Sequence, residues 1–279
     1  MKDLIIGCST NYKWDTLKYW VNSINQSGFT GDKVLILMNC DRETKERILD
    51  AGFNIRASFE DEHGNLKHPD SPFPVHVERF IHIYKYLVEN PDYRYAITTD
   101  VKDVVFQKNP IPRMEYELQN HNLMFASESI KYKDEPWGNQ NLMETYGPYL
   151  HEKFKNNEIY NVGVLAGRAY AIRDLAVNIF TNCIGKAIPI CDQSTFNFMI
   201  SQHPYLHTSR YMKSEDGWAC QLGTTADPSK IEQFRPHLLE AEPRIHEHRI
   251  TTSKFEEFNI VHQYDRVPEW RKVIEARYG

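Results

Sequence analysis

The sequence predicts a single α/β domain with a mostly parallel central sheet and helices on both faces. Three observations carry that expectation. Apolar runs that read as buried strands alternate with helix-period segments through the first half, in a βαβαβ rhythm. The composition, 41% hydrophobic and 25% charged over 279 residues, is that of an ordinary globular chain and argues against disorder, collagen or coiled coil. No Pro/Gly/Ser-rich linker separates the halves, so no firm domain boundary is placed.

The elements read in order as follows. LIIGCS at 4–9 is a buried strand that ends at Gly and small polar residues. Trp14, Leu17, Val21 and Ile24 recur at helical spacing, and Gly28 stops that helix. KVLILMN at 33–39 is a second strand, after which Asp41 caps a charged helix ending at Gly52. NIRASF at 54–59 reads as a third strand, and the polar 60–74 segment, with three prolines, as a loop. Val75 to Val88 is a helix, and YRYAITTD at 93–100 a fourth strand followed by KDVVF. LMFASES at 123–129 and NVGVLAG at 161–167 read as strands, Ala169 to Ile184 as a helix, and Asp192 opens another. The long polar stretch 130–158, with its Pro and Gly residues, reads as loop, and the region from Tyr205 to Arg266 as short strands and loops.

Charge and cysteine content narrow the function classes. Lys plus Arg is 33 against 38 for Asp plus Glu, a net charge of −5 with no basic stripe, which argues against a nucleic-acid partner. No run approaches the roughly 18 apolar residues of a membrane span, and the opening MKDLIIGCST carries no signal-peptide pattern. The five cysteines, Cys8, Cys40, Cys183, Cys191 and Cys220, are widely spaced and odd in number. They fit a reducing compartment, so a cytoplasmic location is expected. The Asn25-Gln26-Ser27 sequon then reads as chance, and His246-Glu247-His248 lacks a third zinc ligand nearby.

The most informative stretch is Ile97-Thr98-Thr99-Asp100-Val101-Lys102-Asp103-Val104-Val105-Phe106. An apolar strand runs directly into two carboxylates and then into a second apolar run. In open α/β sheets ligands gather outside the carboxyl ends of the strands. Two acids on such an edge can hold a divalent cation, which in turn binds a diphosphate. A solvated turn in which Asp100 and Asp103 merely cap backbone groups is the alternative.

TTDVKDVVFQ resembles the acidic motif of nucleotide-sugar glycosyltransferases of the GT-A type, in the variant where Asp-x-x-Asp replaces Asp-x-Asp. Three further segments follow in the expected order. Asn161-Val162-Gly163-Val164 resembles the strand beneath the donor sugar. Asp192-Gln193 resembles the pair that opens a helix near the reaction centre. Ile260-Val261-His262 resembles the late strand whose histidine completes the metal site. The resemblance spans residues 5 to 262 and implies a GT-A-like, Rossmann-like fold. It implies a nucleotide-binding front at about 1–125 and a sugar and acceptor part at about 126–279. The metal would be Mn²⁺ or Mg²⁺, on Asp100, Asp103 and His262. Because i and i+3 point apart along a strand, Asp100 and Asp103 can share an ion only if the chain turns between them. Lys102, which stands where the motif has its second acid, would then lie near a phosphate.

The same resemblance places the base and ribose of the donor against Gly7, Cys8, Thr10 and Asn11, and Arg79 facing its diphosphate. An ordinary βα turn and a surface arginine are the alternatives. Asn161 and Gly163 suit sugar hydroxyls and close backbone approach, or else a cap and a packing glycine. Asp192 is the first choice for the catalytic carboxylate and Gln193 for support of the sugar, with helix capping as the other role for Asp192. Ser127 and Glu128 end another strand, where Glu128 suits binding a hydroxyl or acting as a base, with an exposed or salt-bridged acid as the alternative. Trp137, Trp218 and Tyr264 read as acceptor-stacking rings or packing anchors. The expected activity is transfer of a sugar, from a UDP-sugar as the first choice of donor, to a hydroxyl acceptor such as a glycan. The rivals are a nucleotidyltransferase, although residues 5–13 lack its glycine-rich basic loop, and a non-catalytic nucleotide-sugar or carbohydrate-binding module.

Overall fold

The computed structural model describes residues 2–279. The chain opens with β1 (Lys2–Thr10), α1 (Trp14–Gln26), β2 (Asp32–Asn39), α2 (Arg42–Asp50) and β3 (Asn54–Arg56). A small hairpin, β4 (Phe59–Glu60) and β5 (Leu66–Lys67), precedes α3 (Val75–Glu89), β6 (Tyr93–Thr99) and β7 (Val104–Phe106). Next come α4 (Ile111–Glu117), β8 (Leu123–Lys131), α5 (Pro136–Phe154), β9 (Glu158–Arg168), α6 (Ala169–Cys183) and α7 (Asp192–Ile200). The last third holds α8 (Tyr205–Thr208), β10 (Ser209–Met212), β11 (Ala219–Gln221), α9 (Leu222–Thr225) and α10 (Ile231–Phe234). It ends with the hairpin β12 (Arg244–His246) and β13 (Arg249–Thr251), then β14 (Ile260–His262) and α11 (Pro268–Tyr278).

The expected α/β architecture with a mostly parallel sheet is present. A seven-stranded sheet runs in the order β10-β8-β9-β6-β1-β2-β3. β9 is antiparallel to both of its neighbours, and the other pairings are parallel. Alternation along each strand sends side chains to two cores. Ile5, Leu35 and Leu37 join Leu17, Trp20, Val21 and Ile24 of α1 on one face. Leu4, Ile6, Val34 and Ile36 join Phe80 and Ile83 of α3 and Leu175 and Ile179 of α6 on the other. Helices therefore cover both faces, as the strand–helix rhythm requires.

Strand order reverses beside β1. From β1 the chain crosses by α1 to β2 on one side, and it later returns by α3 to β6 on the other. Such a switch point leaves a crevice at the carboxyl ends of β1 and β6. A second sheet, β11-β14-β7, closes one side of it. Pairing of His262 in β14 with Val104 in β7 brings the late histidine next to Asp103.

Most boundaries follow the sequence reading. Asp41 caps α2 by accepting from Thr44 N at 2.8 Å. Of the 54–59 run, Asn54–Arg56 joins the main sheet and Phe59 opens β4, whose partner β5 lies within 60–74. The stretch 130–158 is a correction, because α5 occupies Pro136–Phe154. Pro136 stands at the helix start, where its missing N–H costs nothing. Gly147 (φ 75°) and Pro148 mark a kink rather than an end. The buried face of this helix carries Gly138, Asn141, Thr145 and His151 beside one leucine, so no apolar period announces it. No helix among the described residues is long and apolar enough to cross a membrane.

Gly7 works in this frame as a packing residue. A Cβ there would fall 2.3 Å from Val101 Cγ1 and 3.1 Å from the Trp20 ring. Trp20 in turn donates from Nε1 to Thr99 Oγ1 at 2.8 Å in the buried interior. The absence of a side chain on β1 thus lets the turn after β6 sit down on the sheet. Gly7→Ala is expected to destabilise the fold by about 1–3 kcal/mol through overpacking. Urea unfolding monitored by tryptophan fluorescence measures this, and an unchanged midpoint would show that Val101 yields freely.

Candidate functional site

A cleft of about 510 Å³ opens at the switch point. Asp100 follows the last residue of β6, and Val101 to Asp103 bend before β7 begins. The chain thus makes the turn that two acids three apart need in order to face one point. His262 completes the group, and ligand atoms of Asp100, Asp103 and His262 lie within 4.8 Å of one another. His262 Nε2 stands 3.5 Å from Asp100 Oδ2 and 3.6 Å from Asp103 Oδ1. Its Nδ1 donates to Gln221 Oε1 at 2.8 Å, which turns Nε2 toward the acids. Separations of 3.5–3.6 Å are too long for good hydrogen bonds and leave a gap between three donors of electron pairs. Two carboxylates and one imidazole are a chemically suitable donor set for a divalent cation. The outward-held histidine, fixed by Gln221, is the arrangement such a ligand needs.

The Asp103 carboxyl is set by opposing effects. Burial pushes its pKa up, but the nearby His262, with Lys102 and Arg266, pulls it below the usual carboxylate range. It is therefore ionised and available as a ligand near neutral pH. Gly163 is the close-approach point beside it. A Cβ there would lie 2.6 Å from His262 Cε1 and 2.7 Å from Asp100 Oδ2. The bare backbone at this position thus makes room for the two side chains of the acidic site. The Asp100 N–H also donates to Gly163 O at 2.8 Å.

Arg79 is buried, which corrects the surface alternative. It forms an ion pair with Asp100 through Nη1 and reaches Asp192 Oδ2 from Nη2 at 3.2 Å. Its Nε is buried without a partner. Asp192 is the first residue of α7, and the cap position belongs to Cys191. Asp192 makes no cap hydrogen bond with its own helix N-terminus; its side chain turns into the cleft. Lys102 is half-exposed on the rim and pairs with Asp265 at 3.2 Å. Cys8 and Thr10 line the cleft, whereas Gly7 lies under it and Asn11, with φ 59°, turns the chain outside its lining. Burial pushes the Cys8 thiol up to about 12, partly offset by Arg79, so it lines the wall as a neutral group.

Sequence reasoning undervalued Glu128. It is buried rather than exposed, and it accepts from Asn161 Nδ2 and Gln193 Nε2, each at 2.8 Å. Asn161 Oδ1 in turn accepts from Gly163 N at 2.7 Å, and Gln193 Oε1 accepts from Val162 N at 3.3 Å. One carboxylate thereby fixes two amide side chains and the β9 backbone between them. Its only sequence signal was a charged residue following the apolar start of a strand. Glu135 caps α5 through Trp137 N and Gly138 N, and presents Trp137, an exposed ring, to the cleft. Trp218 and Tyr264 are buried packing anchors. His76, with its pKa lowered by burial despite the attraction of Asp192, adds a neutral imidazole to the lining.

Comparison with known protein families and with curated proteins finds no match to this chain.

The Glu128 carboxyl is raised above its ordinary 4.5, chiefly by burial and against the pull of its two amide donors. In the unfolded chain the acid loses its proton in the ordinary range, while the folded protein retains it to higher pH. Stability therefore falls as pH rises from about 4.5 through the raised folded value. Glu128→Gln keeps an acceptor oxygen for both amides and removes the ionisation. Its urea-unfolding free energy is expected to fall less over that pH interval than that of the wild type. Parallel pH profiles of the two proteins would contradict the assignment.

Proposed function

We propose that the chain is a glycosyltransferase of the GT-A type, transferring a sugar from a nucleotide-diphosphate donor, with a UDP-sugar as first choice, to a hydroxyl acceptor, with a glycan hydroxyl as first choice. One observation carries the reading: Asp100, Asp103, His262, Arg79 and Asp192 converge on a single cleft at the carboxyl ends of β1 and β6. A pocket with a cation-binding acid group, a buried arginine and a separate carboxylate suits an anionic leaving group on one side and a hydroxyl on the other. The mostly apolar cavity of about 280 Å³ that lies near Phe154 and Phe198 has no comparable grouping.

On this reading Asp100, Asp103 and His262 hold Mn²⁺ or Mg²⁺, and the nitrogen ligand favours Mn²⁺. The ion, when bound, offsets negative charge that develops on the diphosphate. Arg79 supplies a second positive charge of fixed position, and its unpaired Nε gives it a donor to spare. Lys102 and Arg266 line the same opening and add positive charge at its rim. The β1 end at Cys8 and Thr10 receives the base and ribose. Asn161 and Gly163 border the donor sugar, with Gln193 held in place by Glu128. Asp192 orients the acceptor hydroxyl or takes its proton. In the ligand-free arrangement Asp192 is paired with Arg79. A donor diphosphate that draws Arg79 toward itself would release Asp192 for the acceptor.

A thermal-shift screen of nucleoside diphosphates and nucleotide sugars tests the donor. UDP or a UDP-sugar is expected to raise the melting temperature, and more so with Mn²⁺ than in excess chelator. The absence of a shift with every nucleotide, with and without Mn²⁺, would remove the reading, and full activity in chelator would remove the metal alone. Release of pyrophosphate from a nucleoside triphosphate would favour a nucleotidyltransferase instead.

Asp192→Asn separates catalysis from binding. Slow hydrolysis of the donor sugar and transfer to added acceptor are expected to fall by roughly 10²–10⁴-fold, while the nucleotide-induced melting shift is retained. Unchanged turnover would exclude Asp192 as the catalytic carboxylate.

A further inference from the structure

A second group of metal-ligating side chains lies outside the lining of the cleft. His68, just after β5, meets Glu78 and His82, one turn apart on α3, and their ligand atoms lie within 4.8 Å of one another. Val75 and Arg79 point the adjacent stripe of the same helix at the cleft. The two groups therefore share α3 without sharing a ligand.

The local geometry is poorly explained by the protein groups alone. His68 Nε2 is 2.9 Å from Glu78 Oε1, which accounts for one ring. His82 Nε2 points at the same oxygen from 3.5 Å, beyond a good hydrogen bond. That nitrogen is buried and has no hydrogen-bond partner. The two rings meet edge to face with centroids 5.0 Å apart. A buried imidazole nitrogen without a partner is costly, and an unprotonated one facing a carboxylate is repelled by it. A cation among the three atoms satisfies all of them at once.

The donor set selects the kind of cation. Two imidazole nitrogens and one carboxylate oxygen suit a borderline transition metal rather than Ca²⁺ or Mg²⁺, which take oxygen ligands. Zinc bound tetrahedrally at ordinary distances spaces its ligand atoms roughly 3.3 Å apart. The observed separations of 2.9 and 3.5 Å fall on either side of that spacing. A supporting contact is also in place. His68 Nδ1 is 2.8 Å from Ser58 Oγ, so the ring can donate to the hydroxyl and offer Nε2 as the ligand.

We propose that His68, Glu78 and His82 bind a zinc ion that fastens the segment after β5 to the first half of α3. The ion would act on structure: it fixes a proline-rich connection against the helix that carries Arg79. The proposal is independent of the reaction assigned to the cleft, since it uses none of the cleft's ligands.

The test is a Zn²⁺ titration of the full-length, metal-free protein against a competing chromophoric chelator, with Zn²⁺ as the only added ion. The wild type is expected to take up one Zn²⁺ that His82→Gln loses. Ser58→Ala is expected to weaken the same binding roughly 10- to 100-fold. Asp103→Asn, which alters the cleft, is expected to retain it. Equal Zn²⁺ binding by His82→Gln and wild type, or no binding by wild type, would overturn the proposal. X-ray absorption at the zinc edge of the wild-type protein guards against a variant that fails to fold. Two imidazole ligands on zinc are expected, whereas one imidazole would place the ion in the cleft and overturn the assignment.

Discussion

The end of β6 governs what the rest of the molecule can present. Three ties hold it. Trp20 reaches across from α1 to the Thr99 hydroxyl, Val101 occupies the space left by Gly7, and the Asp100 amide donates to Gly163 of β9. Each tie comes from a different element, and together they fix the bend that turns Asp103 toward Asp100. The reversed direction of β9 matters here. It brings Gly163 alongside β6 at the level of the acids, with Asn161 and Val162 two and one residues away on the same wall.

Charge is balanced within the cleft by unlike devices. Arg79 compensates Asp100 and Asp192 by direct pairing, and Lys102 and Arg266 stand near Asp103 at the rim. Glu128, deeper in, is held by neutral amide donors, while burial raises its pKa. Burying an ion pair costs desolvation energy that the attraction only partly offsets, so an arginine shared between two acids is poised to exchange one partner for another anion. Such an exchange would couple the binding of an anion to the state of Asp192, without any movement of the sheet.

The fold was legible wherever apolar residues were dense. The runs in β1, β2 and β6 and the helical stripes of α1 and α3 could be read because burial of these segments is hydrophobic. α5 was not legible, since its inward face is Gly138, Asn141, Thr145 and His151, and its glycines and prolines imitate turn signals. The acids of the site could be found from their place after a strand. Their partners could not: Arg79 and Asp192 are 113 residues apart, and no local pattern records that they meet. Glu128 and Gln221 were hidden for the same reason, as each is explained only by a residue from a distant strand or helix. Gly163 was noticed as a place of close approach, but only the fold reveals that His262 and Asp100 are what approaches.

The five cysteines have a practical meaning beyond the absence of disulfides. All are buried as free thiols, distributed over β1, the end of β2, α6, the entry to α7 and β11. Burial raises Cys8 to about 12 and Cys40 to about 11, so the sulfurs of these two are both shielded and protonated in the native state. Cys8 faces the cleft, whereas Cys40, Cys183, Cys191 and Cys220 lie outside its lining, so a thiol-specific reagent reaches these four when the chain opens locally or globally. The protein thus carries its own set of position-specific clocks, in which the order of labelling reads out which parts of the sheet and its flanking helices come apart first.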